Sequence, residues 1–325
     1  MNVLYIFGNG FDKAQGMATG YPEFYKHLQD NITDGSILLN LMKKGITEKQ
    51  ELWSDMEECL GGFTAESDNA DEFYDFYFEL NDLLQKYLTS ENDKFLPTDN
   101  LKAKFQSDFT TVSKYLGALD KNRCNAFTTA NRFSSSKDIS VITLNYTNTL
   151  EKILSLNTTT IKNFGSNILL RDIIHVHGQL GSSIIIGVDN EEQMKNEEFR
   201  NNDDIKDLMI KIQSNEVMKE TRHMQCEALI NGANIIVLFG VSLGDTDARW
   251  WKIIGDNLVN RANLAVIQHL FEPNVIIPTQ LQKRGRLERR QQKCLMQKMR
   301  IAENNWTDNL RNRLFYTVNE PIFQI

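Results

Sequence analysis

The start of the chain limits its fold more than any other segment. Residues 3–7 (VLYIF) form a continuous apolar run that stops at Gly8-Asn9-Gly10. A run without polar alternation is typical of a strand buried on both faces of a parallel sheet, and glycines directly after it indicate a tight turn. The sequence therefore predicts that the first strand is central in an α/β domain.

Strand and helix patterns then alternate through the second half of the chain. Helical stretches are predicted at 203–230 and 246–259, and further strands at 139–144, 173–177, 184–186, 234–239 and 264–267. Such alternation favours a doubly wound, Rossmann-like parallel sheet with helices on both faces.

Apolar residues between Tyr21 and about Arg132 recur every three or four positions, which indicates helices. We therefore predict a Rossmann-like nucleotide-binding core at 1–30 and 133–275, interrupted by a large helical insertion at 31–132. Residues 276–325 are predicted to be a C-terminal helical segment.

Composition narrows the class of protein. The 325 residues are 41% hydrophobic, enough for a large core, and no stretch has the roughly 20 apolar residues of a membrane-spanning helix. The four cysteines form no CxxC pair, so we expect reduced thiols and no cysteine-based zinc site. We expect a cytoplasmic protein with no membrane partner. The net charge of −7 argues against a general nucleic-acid binder.

The glycine turn after the first strand is the first candidate site. In an open α/β sheet, ligands bind beyond the carboxyl ends of the strands. Glycines let the backbone approach a phosphate, and a following helix N-terminus would add partial positive charge. The candidates are Gly8, Asn9, Gly10, Phe11 and Asp12. A tight turn that binds nothing is the alternative, because the full GxGxxG spacing is missing.

The second strand leads into Thr143, Asn145, Tyr146 and Asn148. Their hydroxyl and amide groups can hydrogen-bond a ribose or a nicotinamide carboxamide. The alternative is an ordinary asparagine cap for the helix that begins near Asn148.

The next strand ends in His175-Val176-His177-Gly178, and strand alternation places both imidazoles on one face. His177, nearest the open end, can transfer a proton near neutral pH. A purely structural histidine and a metal half-site are the alternatives. We expect no metal, since the spacing offers no third ligand.

Gly240, Ser242, Asp245 and Asp247 follow the strand at 234–239, again as a glycine turn before a helix. Either aspartate can cap that helix or reach a ribose hydroxyl. The recurrence of such groups at four strand ends favours one common site.

These motifs resemble a known family, the bacteriophage abortive infection proteins AbiH. The resemblance is carried by residues 6–12 (IFGNGFD), Gly16, residues 21–24 (YPEF), 52–57 (LWSDME), 144–151 (LNYTNTLE), 175–178 (HVHG) and 240–247 (GVSLGDTD). It spans nearly the whole chain.

The same landmarks also resemble the NAD-binding core of sirtuin-like (SIR2-like) proteins. The resemblance implies that Asn145 positions the nicotinamide ribose and the attacking water, and that His177 acts on a ribose hydroxyl. It implies further that Gly8, Asn9 and Gly10 hold the pyrophosphate, while Gly240 and Ser242 line the adenosine side.

Three departures limit what the resemblance implies. Thr147 stands where sirtuin-like proteins usually have an aspartate, the turn is Gly-Asn-Gly rather than Gly-Ala-Gly, and the zinc-binding cysteine pairs of protein deacylases are absent. We therefore expect cleavage of NAD by water, with NAD as the substrate, rather than deacylation.

Two alternatives remain open. One is a nuclease or nucleic-acid-binding effector, for which a basic stretch would contact phosphates and Asp245 and Asp247 would hold Mg²⁺. The stretch comprises Lys283, Arg284, Arg286, Arg289, Arg290, Lys293, Lys298 and Arg300, and a solvated helix face is the simpler interpretation. The other is a non-catalytic nucleotide sensor. A homo-oligomer and a phage-derived trigger stay open as partners.

We interpret Glu57 and Glu58, near Trp53, as an exposed acidic helix face outside the site.

Overall fold

The computed structural model describes residues 1–48, 55–156, 161–165, 167–272 and 281–324, with the backbone alone at 281 and 282. Within these ranges, seven strands form one sheet in the order β3-β4-β2-β1-β5-β6-β7. The strands are β1 (Asn2–Phe7), β2 (Lys137–Thr143), β3 (Lys162–Asn163), β4 (Ile168–His175), β5 (Ile235–Phe239), β6 (Ala265–Leu270) and β7 (Leu314–Val318).

The sheet has the strand order of a dinucleotide-binding fold. All neighbouring strands pair in parallel except the short edge strand β3, which runs antiparallel to β4. Numbered along the chain without β3, the order is 3-2-1-4-5-6, the Rossmann order. The order reverses between β1 and β5, where such folds bind ligands. The prediction of a Rossmann-like parallel sheet with a central first strand is confirmed.

Alternate residues of β1 face two different helical layers. Val3, Tyr5 and Phe7 are buried on one face, and Leu4 and Ile6 on the other. The first layer contains α6 (Asp99–Thr110), α7 (Ala118–Ala130) and α8 (Thr149–Leu154), and the second contains α11 (Arg222–Gly232), α12 (Ala248–Asn260) and α13 (Leu281–Lys298). Burial on both faces explains why β1 is apolar throughout.

A second core lies among helices beside the sheet, and we call this part the helical module. It comprises α2 (Tyr21–Asn31), α3 (Ile37–Glu48), α4 (Met56–Phe63), α5 (Ala70–Lys94) and α9 (Asp203–Met209). The helices predicted between residues 21 and 132 are therefore present. Two helices of that stretch, α6 and α7, belong to the layer on the sheet and not to the helical module, because Leu101, Phe105 and Cys124 pack on the sheet.

The strand predicted at 184–186 was wrong. Ile184 makes only an isolated bridge to Gly178, and the run packs into the helical module. Side chains of α5 replace a sheet ladder: Tyr77 Oη donates to the carbonyl of Ile186 at 2.8 Å, and Asn81 Nδ2 to that of Ile184 at 3.1 Å. A short apolar run buried by helices has the same periodicity as a buried strand.

Two further elements differ from the sequence prediction. The stretch 203–230 is divided into α9, α10 (Lys211–Val217) and α11, and the predicted helix at 246–259 is α12. The chain after 276 does contain the predicted helix, α13. It also contributes the short α14 (Asp308–Arg311) and the unpredicted strand β7, which pairs with β6.

Candidate functional site

The turns after β1 and β5 are in direct backbone contact. Gly10 N donates to the carbonyl of Gly240 at 2.9 Å, and Gly8 N to that of Phe239 at 3.1 Å. A Cβ at Gly10 would lie 2.5 Å from Cα of Gly240, and Gly240 itself has φ +67°. Only glycine fits this contact without displacing backbone.

We therefore expect Gly240→Ala to lower the free energy of unfolding by about 2–4 kcal/mol, since overpacking adds to the cost of a left-handed backbone. A Cβ at Gly240 would stand 2.5 Å from Phe11 N. Denaturant unfolding measures the effect. Gly232→Ala, where nothing lies within 4 Å of the added Cβ, is the control. Equal stability of the two variants would contradict the steric interpretation.

A cleft of about 400 Å³ opens at the carboxyl ends of β1, β2, β4 and β5, a volume within the range of small-molecule sites. It lies at the point where the strand order reverses. Ten of the predicted site residues line it: Gly8, Asn9, Gly10, Asp12, Asn145, Tyr146, His177, Gly240, Ser242 and Asp247.

The other five predicted residues stand outside this lining. Phe11 is buried in the sheet core, and Thr143 Oγ1 accepts from the backbone N–H of Asn145 at 3.1 Å. Asn148 occupies the N-cap position of α8, but its side chain makes no capping hydrogen bond. Gly178, with φ +88°, packs against the backbone of Ser183, and Asp245 pairs with Lys298 at 2.8 Å.

The wall formed by the β1 turn is organised by side chains rather than by a long helix. α1 (Gly10–Ala14) has only five residues, so its dipole is weak. The amide of Asn9 is engaged with Thr19, whose Oγ1 donates to Asn9 Oδ1 at 2.6 Å. Thr147 Oγ1 lies 2.6 Å from Asp12 Oδ2. Thr147, the departure from the sirtuin-like pattern, is thus beside a carboxyl group from another strand end.

Asp12 and Asn145 leave buried polar atoms facing no protein partner. Asp12 is 1% exposed and Asn145 8%. Asp12 Oδ1 and both amide atoms of Asn145 lack a close hydrogen-bond partner among the described residues. Burial raises the pKa of Asp12, although Thr147, Thr149 and the nearby amide of Asn145 oppose part of that rise. Buried polar groups are nearly always hydrogen-bonded, so groups of this kind that line a cleft are available to a ligand or to water.

Two carboxylates that line the cleft, Glu57 and Asp247, both pair with Lys211. Its Nζ lies 2.8 Å from Glu57 Oε2 and 3.0 Å from Asp247 Oδ1, and it donates to the carbonyl of Thr246 at 3.0 Å. Asp247 Oδ1 also lies 2.8 Å from His177 Nε2. We call Glu57, Lys211, Asp247 and His177 the ion cluster; each side chain is at most 12% exposed.

Within the ion cluster, the two carboxylates are shifted in opposite directions. Burial raises the pKa of Glu57, and Lys211 cancels only part of that rise. Burial also acts to raise the pKa of Asp247, but Lys211 and His177 together hold it well below its usual range. The difference arises because Asp247 has two cationic or proton-donating neighbours. Asp247 therefore stays ionised and orients His177.

The two histidines have different surroundings. His175 Nδ1 is 2.8 Å from the carbonyl of Asn145, and its Nε2 is 2.8 Å from Glu151 Oε1. His177 uses Nε2 for Asp247, and its buried Nδ1 has no partner among the described residues. If Nε2 carries the proton that Asp247 accepts, Nδ1 is left as an unprotonated acceptor. His177 thus keeps one ring nitrogen without a protein partner in the described part of the chain, whereas both ring nitrogens of His175 are engaged.

The interpretation of Glu57 as part of an exposed helix face was wrong. Glu57 is 6% exposed and lines the cleft, whereas its neighbour Glu58 is exposed; Trp53 lies outside the described residues. Glu57 precedes Leu60 and Gly61 by three and four positions, on the buried face of α4. That spacing was the signal available in the sequence. Lys211, the other residue that sequence reasoning missed, carried no comparable signal.

The basic stretch lies on α13, except for Arg300 just beyond its end, and several of its cations are paired. Arg284 bonds Glu288 at 2.8 Å, Lys298 bonds Asp245 at 2.8 Å, and Arg290 bonds Glu272 at 3.1 Å. Asp247 is held by Lys211 and His177, so the two aspartates of the Mg²⁺ hypothesis have separate partners.

In the described parts of the chain, no group of three or more His, Cys, Asp or Glu side chains is arranged for a metal ion. No helix among those residues is long and apolar enough to cross a membrane.

Fold and site together define a Rossmann-like α/β protein with a cleft at the point where the strand order reverses. A family model described as bacteriophage abortive infection AbiH matches residues 4–268. The chain therefore belongs to the AbiH family, and this membership supports a role in abortive infection by bacteriophage. No curated protein matches the sequence.

Proposed function

We propose that the cleft binds NAD as substrate and hydrolyses it to nicotinamide and ADP-ribose as the effector step of abortive infection. One observation supports this most: unsatisfied buried groups of Asp12, Asn145 and His177 line a single cleft at the site where Rossmann folds bind dinucleotides. The sirtuin-like order of these motifs along the chain supports the same substrate.

The reaction needs orientation and charge stabilisation more than a strong nucleophile. The bond between C1′ of the ribose and the nicotinamide nitrogen breaks, and its electron pair leaves with neutral nicotinamide. A water oxygen bonds to the oxocarbenium-like C1′ and releases a proton. Preorganised polar groups in a closed cleft lower the barrier for such a step.

Asn145 and His177 fit different parts of this reaction. The amide of Asn145 offers both a donor and an acceptor, and neither atom has a close hydrogen-bond partner in the described ranges, so it can hold the ribose and the attacking water in place. His177 Nδ1, unprotonated while Nε2 bonds Asp247, can take a proton from a ribose hydroxyl or from the water.

The experiment is incubation of the purified protein with NAD, with nicotinamide and ADP-ribose followed by chromatography. We expect release by the wild type and about a hundredfold lower rate for Asn145→Ala, because losing one orienting group costs roughly that much. The carbonyl of Asn145 that His175 contacts remains in the variant. Absence of NAD cleavage by the wild type, at high protein concentration and with phage lysate added, would refute the proposal.

An enzyme that destroys the NAD of its own cell must be restrained before infection. We propose that a phage-derived ligand or assembly of several copies switches the cleft on, which is why phage lysate belongs in the assay. The nucleic-acid alternative is less favoured, since several cations of α13 already have carboxylate partners.

A further inference from the structure

Glu57 is the cleft residue whose role the proposed reaction leaves unassigned. It enters the cleft from α4 of the helical module, whereas Asn145 and His177 come from the sheet. Asp55 begins α4 by accepting from the backbone N–H groups of Glu57 and Glu58 at 3.1 and 3.2 Å. The N-cap fixes the first turn of the helix and with it the position of the Glu57 side chain.

The two oxygens of Glu57 are not equally occupied. Oε2 has a close partner in Lys211 at 2.8 Å. Oε1 has only Tyr146 Oη at 3.4 Å, and that hydroxyl lies 2.9 Å from the carbonyl of Ile185. A tyrosine has a single proton, and the shorter contact to Ile185 takes it. Oε1 is therefore left with acceptor capacity inside the cleft.

The ion cluster connects this acceptor to His177. Lys211 and Asp247 lie between them, joined by contacts of 2.8, 3.0 and 2.8 Å in succession. Glu57 and His177 both line the cleft and both offer a hydrogen-bond acceptor, Oε1 and Nδ1. Both acceptors belong to residues of one hydrogen-bonded cluster that line the same cleft, so one ligand with two hydroxyl donors can engage both.

We propose that Glu57 is a substrate-binding residue that accepts a hydrogen bond from the diol of the nicotinamide ribose and selects for ribose over deoxyribose. The inference rests on the proposed function, because it assigns the residue to one part of the same substrate. A hydroxyl that bonds a carboxylate forms a short, charge-assisted hydrogen bond. A ligand without that hydroxyl leaves a buried acceptor unpaired, so binding discriminates strongly.

The test measures binding, without turnover, by calorimetry with carba-NAD, in which a methylene replaces the oxygen of the nicotinamide ribose ring. Glu57→Gln is expected to weaken binding about 10- to 100-fold, the usual effect of losing a hydrogen bond to a charged group. Glu58→Gln makes the same change at the exposed neighbour on α4 and is expected to stay within about twofold of the wild type.

The second arm separates binding from a structural role. Two analogues of carba-NAD lack either the 2′- or the 3′-hydroxyl of that ribose, and the wild type is expected to bind only weakly the one without the hydroxyl that Glu57 contacts. Because that analogue has no hydrogen bond to Glu57 to lose, Glu57→Gln should change its affinity by less than about twofold. A general loosening of the cleft would weaken all three ligands alike. Thermal unfolding of each variant shows whether it is folded.

The outcomes distinguish the two proposals. If the wild type binds carba-NAD and Glu57→Gln weakens the intact and both deoxy ligands equally, or none of them, the role of Glu57 is overturned and the proposed substrate stands. If the wild type binds no form of carba-NAD, the proposed function and the inference fall together. A hydroxyl-specific loss confined to Glu57→Gln supports the assignment.

Discussion

Replacing Lys211 with methionine is expected to lower the free energy of unfolding by about 3–5 kcal/mol, the cost of leaving buried charges without their partner. Lys211 is 5% exposed and is bonded to both Glu57 and Asp247. Methionine fills a similar volume but leaves two neighbouring carboxyl groups with no cation between them. Urea unfolding followed by circular dichroism measures the change.

The directions of the pKa shifts indicate the pH range over which the ion pairs of Lys211 stabilise the fold. Burial lowers the pKa of Lys211, but Asp247 and Glu57 reverse that and raise it overall. Because the pKa of Lys211 is higher in the folded protein than in the unfolded chain, its charge stabilises the fold at every pH below the unfolded-state pKa. This stabilisation is lost only as the pH rises through the folded-state pKa. The pKa of Asp247 is lower in the folded protein than in the unfolded chain, so its charge stabilises the fold at every pH above the unfolded-state pKa. This stabilisation is lost only as the pH falls through the folded-state pKa. The Lys211–Asp247 pair therefore contributes at neutral pH.

Two comparisons test the cause of the expected destabilisation by Lys211→Met as well as its size. Lys206→Met removes an ion pair between Lys206 and the exposed Asp203 on α9, and it is expected to change the stability little, because solvent screens the pair. The triple variant Lys211→Met, Glu57→Gln, Asp247→Asn removes all three charges together and should regain much of the loss. A Lys211→Met variant as stable as Lys206→Met would show that the cluster is not desolvated as the structure has it.

The strands of the core could be predicted because each carries a local signal. β1, β2, β5 and β6 are parallel strands covered on both faces, so their apolar runs are nearly continuous in the sequence. Residues 184–186 have the same local pattern but are buried by α5. Local periodicity reports burial, and it does not report which element covers the run.

The cleft was predictable only where its residues follow strands. Gly8, Asn145, His177 and Gly240 each lie one or two residues beyond the end of a strand, and strand ends of a parallel sheet meet at one edge. Glu57 reaches the cleft from α4, and Lys211 of α10 contacts Glu57 and Asp247 across sequence separations of 154 and 36 residues. Such contacts depend on how the helical module packs, which no local pattern encodes.

Asp247→Asn is expected to lower the rate of nicotinamide release about a thousandfold, if the cleft cleaves NAD as proposed. An amide can keep the geometry of the contact to His177 Nε2, but it cannot stabilise the imidazolium and can favour the wrong tautomer; for a carboxylate that orients a catalytic histidine this costs about 10³–10⁴ in rate. His177→Ala removes the base itself and should lose at least as much.

Asp245→Asn is the matched control for this prediction. Asp245 lies two positions away and is 60% exposed in its contact with Lys298, outside the cleft lining. The same chemical change there is expected to leave the rate within about twofold, since a surface ion pair contributes little. Nicotinamide release is measured across the pH range for both variants and the wild type, with thermal unfolding to confirm that each is folded. Equal losses in the two folded variants would mean that the acidic turn supports the cleft only through its net charge, and that Asp247 has no specific role in orienting His177.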